Sequence, residues 1–241
     1  MNIIVCKTPH EVALHAYEVF KNQLIVKPQS VLGLATGSSP ILLYEELING
    51  VKNKEISFSE VITFNLDEYV GMDKEHSQSY AHFMHQHLFD HVDINHKNTH
   101  IPCGLAQDLD KECESYNNAL ESYRLDVQLL GIGSNGHIGF NEPYTSFDSV
   151  THVVKLKDST RHDNAVFFKS LDEVPTHAIS MGIANIMQAK KIVLLAIGKK
   201  KAQAIVDMIH GPVSESCPGS ILQWHSNVTI IIDEDAASNL K

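Results

Sequence analysis

The chain is poor in cysteine and arginine, and it has no stretch with the composition of a linker or a membrane span. Its four cysteines, Cys6, Cys103, Cys113 and Cys217, are widely spaced and form no CxxC pair, which excludes a zinc ribbon, a dithiol redox motif and a dense disulfide framework. Reduced thiols in the cytoplasm are the expectation. No apolar run approaches the ~18 residues of a transmembrane helix, and the apolar Asn2 to Cys6 is too short, and lacks the basic start, for an export signal. Arg124 and Arg161 are the only arginines, and 19 basic against 29 acidic residues leave a formal charge of -10. That balance excludes a broad basic surface for nucleic acid or anionic membrane, although a small pocket for one anion stays open. There is no internal repeat, low-complexity tract or Pro/Ser-rich segment. With 43% hydrophobic and 20% charged residues in 241, what remains is a folded protein with a sizeable core, expected to form a single domain over residues 1–241.

The patterning alternates strands with helices. Ile3 to Cys6 reads as a strand, and Thr8-Pro9-His10-Glu11 has the form of a capping box with proline at the first helical position, predicting a helix to about Leu24. Ser30 to Ala35 is nearly all apolar, and after Thr36-Gly37-Ser38-Ser39-Pro40 the residues Ile41, Leu42, Tyr44, Leu47 and Ile48 recur at helical spacing. Val61 to Phe64, Val127 to Leu130, Val153-Val154, Ala178 to Met181, Ile192 to Ile197 and Val228 to Ile232 read as further strands. Helices are predicted from about Ser79 to Phe89 and from Gly198 to about Ile209. Strands without polar alternation, separated by helices, predict an α/β fold: a Rossmann-like, doubly wound, mostly parallel sheet with helices on both faces. Such folds bind ligands beyond the carboxyl ends of their strands, so the residues following each strand carry the information.

After the second strand, Thr36, Gly37, Ser38 and Ser39 place small residues at a helix start, where free N–H groups and the helix dipole favour an anion. The same residues also make an ordinary turn, with Ser39 as N-cap and Pro40 at N1. After the third strand comes Asn65-Leu66-Asp67-Glu68-Tyr69, in which Asp67 is either a general base or a turn-fixing carboxylate and Glu68 has no independent claim. After Leu130 comes the densest signal, Gly131-Ile132-Gly133-Ser134-Asn135-Gly136-His137-Ile138-Gly139-Phe140-Asn141-Glu142-Pro143. Its glycines allow close backbone approach to a ligand and leave His137 titratable, with Glu142 near enough to orient it. Lysines at Gly198-Lys199-Lys200-Lys201 oppose the dipole of the helix they open, which a bound anion would explain. His82, His85, His87 and His91 crowd one helix and His87 and His91 are i,i+4 neighbours, but there is no HExxH and no metal is assigned.

Three stretches together, Leu32 to Pro40, Thr63-Phe64-Asn65-Leu66-Asp67-Glu68-Tyr69-Val70-Gly71 and Gly136-His137-Ile138-Gly139-Phe140-Asn141-Glu142-Pro143, resemble the glucosamine-6-phosphate deaminase family. The resemblance runs from the first strand to the last and includes Ser79-Tyr80, Ala178 to Gly182 and Gly198 to Lys201. It implies conversion of glucosamine 6-phosphate and water to fructose 6-phosphate and ammonia, without cofactor or metal. His137 would move the proton that opens the sugar ring, with Glu142 and Asn135 behind it, and Asp67 would carry a proton from C2 to C1. Thr36, Gly37, Ser38, Ser39 and Lys201 would hold the phosphate. The implied partner is a small amino-sugar phosphate, with no nucleic acid or membrane, and the implied state is a monomer or small homo-oligomer. The broader superfamily contains 6-phosphogluconolactonases, which would use His137 to activate water and need nothing from Asp67. A non-catalytic sugar-phosphate sensor is a third reading.

The sequence departs from the family pattern in three places. Asn135 stands where many members carry an aspartate, so it can accept a hydrogen bond from His137 but cannot stabilise an imidazolium by charge, and His137 is expected to lean mainly on Glu142. Val166 stands where the family usually has a phosphate-binding arginine; Arg161 lies ~140° away around a helix and cannot take over, leaving Lys155, Lys157 or Lys201 to compensate. His152 and Val154 replace the basic residues of the allosteric site found in longer members, so activation of that kind is not expected.

Overall fold

The computed structural model describes residues 1–240, with the backbone alone at Phe167. Strand β1 (Asn2–Cys6) leads into helix α1 (Pro9–Val26), whose start follows the predicted chemistry. The Thr8 hydroxyl accepts from the Glu11 N–H at 3.1 Å, Pro9 occupies the first turn, and the Glu11 carboxylate reaches back to the Lys7 N–H at 2.8 Å. Then follow β2 (Val31–Leu34), α2 (Ile41–Lys52), β3 (Ile62–Asn65), β4 (Asp67–Tyr69), α3 (Tyr80–His87), β5 (Thr99–His100), α4 (Leu109–Ser122) and β6 (Val127–Leu130). The remaining elements are β7 (His152–Lys155), α5 (Asp158–Asn164), β8 (His177–Ser180), α6 (Ile183–Met187), β9 (Ile192–Ala196), α7 (Ala202–His210) and β10 (Val228–Asp233), joined in places by short 3-10 segments, the longest Pro218–Trp224.

Seven strands form one parallel sheet in the order β1-β10-β9-β6-β2-β3-β5. The central β9, β6 and β2 are buried along their whole length, which accounts for their lack of polar alternation. The chain builds outward from β2 through β3 to β5, then returns to the other side of β2 with β6 and continues to β9 and β10. The order therefore reverses between β2 and β6, and the crevice above that pair is where an open α/β sheet takes its ligand. The two loops that open on it carry Thr36 to Ser39 and the glycine-rich segment after Leu130.

A second, antiparallel sheet, β4-β8-β7, was not separated from the first by the sequence reading. Leu66 makes the division. Its N–H still donates to Leu34 of the main sheet at 3.1 Å, while its carbonyl accepts from Met181 at 2.6 Å, so the chain leaves one sheet and joins the other across a single residue. Asp67 consequently lies on a strand paired with Ser180, not in a loop. At the opposite end of the main sheet, the buried Asp126 receives Lys27 at 2.6 Å, Lys190 at 2.8 Å and the Val31 N–H at 2.9 Å, tying the amino ends of β2, β6 and β9 together.

Candidate active site

The segment after β2 forms one wall of a cleft of about 430 Å³. Pro40 has helical dihedrals (φ -83°, ψ -8°), as a proline entering a helix should, and its carbonyl accepts from the Tyr44 N–H at 2.9 Å. The expected capping bond from Ser39 is absent: no side chain caps α2. Among the described residues nothing pairs with the hydroxyls of Thr36, Ser38 or Ser39, and all three residues line the cleft beside the helix start. An anion placed there meets free hydroxyls and unpaired N–H groups together.

The glycine loop forms the floor. The Gly133 N–H donates to the His137 carbonyl at 2.9 Å and closes the loop on itself. A Cβ at Gly133 would lie 2.2 Å from the His137 ring, so only glycine lets the imidazole fold back over the backbone. Nδ1 of His137 pairs with Oδ1 of Asn135 at 2.7 Å, and Nδ2 of Asn135 donates to Glu142 at 2.8 Å. The direct distance from His137 to Glu142 is 3.7 Å. The imidazole therefore hydrogen-bonds to Asn135, and Glu142 stands one step behind, fixing which way the amide points and adding its charge at 3.7 Å. Because the Asn135 amide nitrogen is committed to Glu142, its oxygen faces His137, which places the proton on Nδ1 and leaves Nε2 with a lone pair. Glu142 is itself fixed by the Thr160 hydroxyl and by the Lys157 N–H at 3.3 Å. Burial lowers the His137 pKa against the opposing pull of Glu142, so the ring is neutral at neutral pH.

Asp67 forms the far wall. Its side chain is 6% exposed and has no hydrogen-bond partner among the described residues. Burial, reinforced by the neighbouring Glu68, pushes its pKa up to about 8. It adjoins the glycine loop: a Cβ at Gly139, where φ is +56°, would lie 3.7 Å from its Oδ2. Glu68 points away and accepts the N–H groups of Tyr69 at 2.8 Å, Tyr80 at 3.0 Å and Ala81 at 2.9 Å. It thereby caps α3, and the sequence signal for this was its place twelve residues before a helix start, too distant to read. Tyr80, at that start, lines the cleft, stacks on Phe140 at 5.9 Å and donates to the Tyr69 hydroxyl at 3.2 Å.

Lys199, Lys200 and Lys201 form a 3-10 turn ahead of α7, and all three line the cleft. Burial lowers the Lys201 pKa, with Asp163 opposing. Asp163 is in turn held by the Ser134 hydroxyl at 2.9 Å. Val166 sits on the rim and is 78% exposed. Arg161 is spent elsewhere, donating to the carbonyls of Leu171 at 2.9 Å and Val174 at 3.0 Å. Of the three lysines expected to compensate for Val166, the cleft contains Lys201 and neither Lys155 nor Lys157. A larger hollow of about 660 Å³, around Arg124 and Trp224, lies toward the amino ends of the strands and contains none of the expected residues.

A switch-point cleft that brings free hydroxyls and lysines together with a buried carboxyl and an imidazole is the arrangement of an α/β enzyme. Residues 7–231 match the profile of the family described as glucosamine-6-phosphate isomerases/6-phosphogluconolactonase, and the chain belongs to that family. It is 52% identical over 241 residues to a glucosamine-6-phosphate deaminase of Clostridium novyi (strain NT), covering 100% of both chains. A deaminase of Thermoanaerobacter sp. (strain X514) is 51% identical over 239 residues, 99% of this chain and 94% of that one. Among solved structures, a monomeric glucosamine-6-phosphate deaminase superposes with a TM-score of 0.97 at 44% identity, covering 99% of this chain and 100% of the other. The 6-phosphogluconolactonase of Trypanosoma brucei shares the fold, with a TM-score of 0.80 at 20% identity over 100% and 98% of the two chains.

Proposed function

We infer that this chain catalyses the deaminating isomerisation of glucosamine 6-phosphate with water to fructose 6-phosphate and ammonia. The observation that carries the reading is the convergence of Asp67 and His137 on one cleft, beside free hydroxyls and lysines able to hold a phosphate. Nε2 of His137 takes the proton of the anomeric hydroxyl and delivers it to the ring oxygen, opening the pyranose; Asn135 holds the ring, and the Glu142 charge behind it favours the transient imidazolium. Asp67 then removes the C2 proton and returns it to C1 through an enolamine, leaving a ketimine that water hydrolyses to the ketose and ammonia. The phosphate rests on Thr36, Gly37, Ser38, Ser39 and Lys201.

The raised pKa of Asp67 agrees with this sequence of steps. In the free enzyme the carboxyl holds its proton up to about pH 8, and the ammonium group of the substrate is the cation that would draw it into the base form. The acid limb of kcat/KM is therefore expected near pH 8, with activity rising as pH rises, and the acid limb of kcat should lie lower because the bound ammonium depresses the same pKa. Kinetics across pH 5–9 checks this; coincident limbs would remove the link between Asp67 and the amine.

A lactonase needs no base at Asp67. Ammonia release from glucosamine 6-phosphate by the purified wild-type chain, lost in Asp67→Asn, supports the deaminase. Lactone hydrolysis that persists in Asp67→Asn without ammonia release from the wild type would support the alternative. The reading takes the chain as one catalytic domain working as a monomer in the cytoplasm. In its support, both sheets contribute to one cleft, the small sheet with Asp67 and the main sheet with the loops after β2, β6 and β9, and the superposed deaminase is monomeric. No described helix is long and apolar enough to cross a membrane.

A further inference from the structure

The histidines that crowd α3 resolve into a different group from the one their helical spacing suggested. His87 packs against the Phe83 ring at 4.4 Å, and Nε2 of His91 is engaged by the Gln86 carbonyl at 2.9 Å, so those two do not form a pair. Instead His85, in the last turn of α3, meets Asp90 in the next 3-10 turn and His96 at the start of the one after, with one ligand atom of each lying within 4.8 Å of the others.

Nδ1 of His85 is hydrogen-bonded to Oδ1 of Asp90 at 2.7 Å, a bond that an ion would replace, and Nε2 of His96 lies 3.9 Å from the same oxygen. A tetrahedral zinc ion with bonds of about 2.0–2.1 Å sets its ligand atoms roughly 3.3 Å apart, and the two observed edges bracket that spacing. The two imidazole rings stand edge to face, with centroids 5.1 Å apart and 81° between their planes, so neither blocks the other from a common ion. Their backbones are anchored: Leu88, Phe89 and Ile94, interleaved with the three ligands, are buried in the main core. We propose that His85, Asp90 and His96 form a surface site for a borderline divalent transition metal of the zinc class, separate from the catalytic cleft.

Two nitrogens and one oxygen suit zinc, copper(II) or nickel(II) and not magnesium or calcium, which prefer all-oxygen shells. The three side chains are 41%, 53% and 54% exposed, which leaves the fourth position to water and makes the affinity moderate. The site ties the last turn of α3 to the two turns that follow. The first turn of the same helix supplies Tyr80 to the cleft and holds Glu68, so the tie secures the helix without touching substrate.

The test is calorimetric titration of zinc chloride into the untagged, chelator-treated full chain, with thermal unfolding measured alongside. One zinc should bind and raise the melting temperature. His96→Ala and His85→Ala should each weaken binding at least about tenfold, the order of change expected from removing a ligand, and abolish the thermal shift, while His87→Ala should leave both intact. Magnesium chloride should give no shift. Three results would overturn the site: no binding, zinc affinity and thermal shift surviving in both His85→Ala and His96→Ala, or loss of zinc in His137→Ala alone. A magnesium shift as large as that of zinc would overturn the assigned metal class.

Discussion

A carboxyl whose pKa burial has raised to about 8 opposes the fold in the ionised form that the proposed chemistry requires. The folded value of Asp67 lies above the ordinary 3.8, so its contribution to stability is fully present below that value and is lost as pH rises through about 8. Asp67→Asn removes the titration while keeping the shape. At pH 8 the variant should unfold a few degrees higher than wild type, each ~1 kcal/mol being worth ~2–4 °C at this chain length, and the gain should disappear at pH 4; calorimetry at the two values checks it. At His137 the expected consequence concerns charge. Glu142→Gln removes the anion that favours the imidazolium, so the histidine pKa falls further and kcat drops, by about tenfold or more for a general acid–base step. A pH–rate profile of the variant reads both, and an unchanged profile would mean that Asn135 orients the ring unaided. At Val166 the departure is a missing charge on an exposed rim position. Val166→Arg should lower KM by roughly ten- to a hundredfold, the equivalent of one charged hydrogen bond of ~1.5–3 kcal/mol, with little change in kcat; steady-state kinetics decides it.

Among the elements, β2 and β6 matter most, because the site hangs from their carboxyl ends while Asp126 ties their amino ends. Burial alone would raise the pKa of Asp126, but Lys190, Lys27 and the Val31 N–H together outweigh it and hold the carboxyl below its ordinary value. The lysines are 40% and 48% exposed, so solvent screens much of the pairing. Asp126→Ala should cost about 2 kcal/mol, chiefly from stranding the Val31 N–H and two lysines beside a buried gap, without altering KM. Denaturant melts will show it, and the wild type's advantage should fade as pH drops through the carboxylate range. The strands of the main sheet were legible in the sequence because complete burial removes polar alternation, as in Ile192–Ala196. The small sheet was not. Asp67–Tyr69 has three residues and His152–Lys155 four, too short for a period to declare parallel or antiparallel pairing, and the single-residue transfer at Leu66 leaves no mark in composition.

At the scale of the molecule, one topological event gathers the site. The reversal of strand order between β2 and β6 opens the crevice, and the small sheet brings Asp67 to its side. The strand-following motifs and Tyr80 were legible in the sequence, whereas Thr160, Asp163 and Asn164, which also line the cleft, were not, because they act from a helix that distant contacts set in place. The relay from His137 through Asn135 to Glu142 was not legible as geometry, since residues two and five apart on a glycine loop have no fixed arrangement until the loop closes.

The most direct measurement of the central claim is the fate of the C2 hydrogen. Glucosamine 6-phosphate labelled with deuterium at C2 should show a primary isotope effect on ammonia release by the wild-type chain. Asp67→Asn should still bind the sugar phosphate, more weakly by the lost pairing with the ammonium group, yet neither exchange that deuterium nor release ammonia. Deuterium loss and ammonia release at close to the wild-type rate in Asp67→Asn would contradict the account.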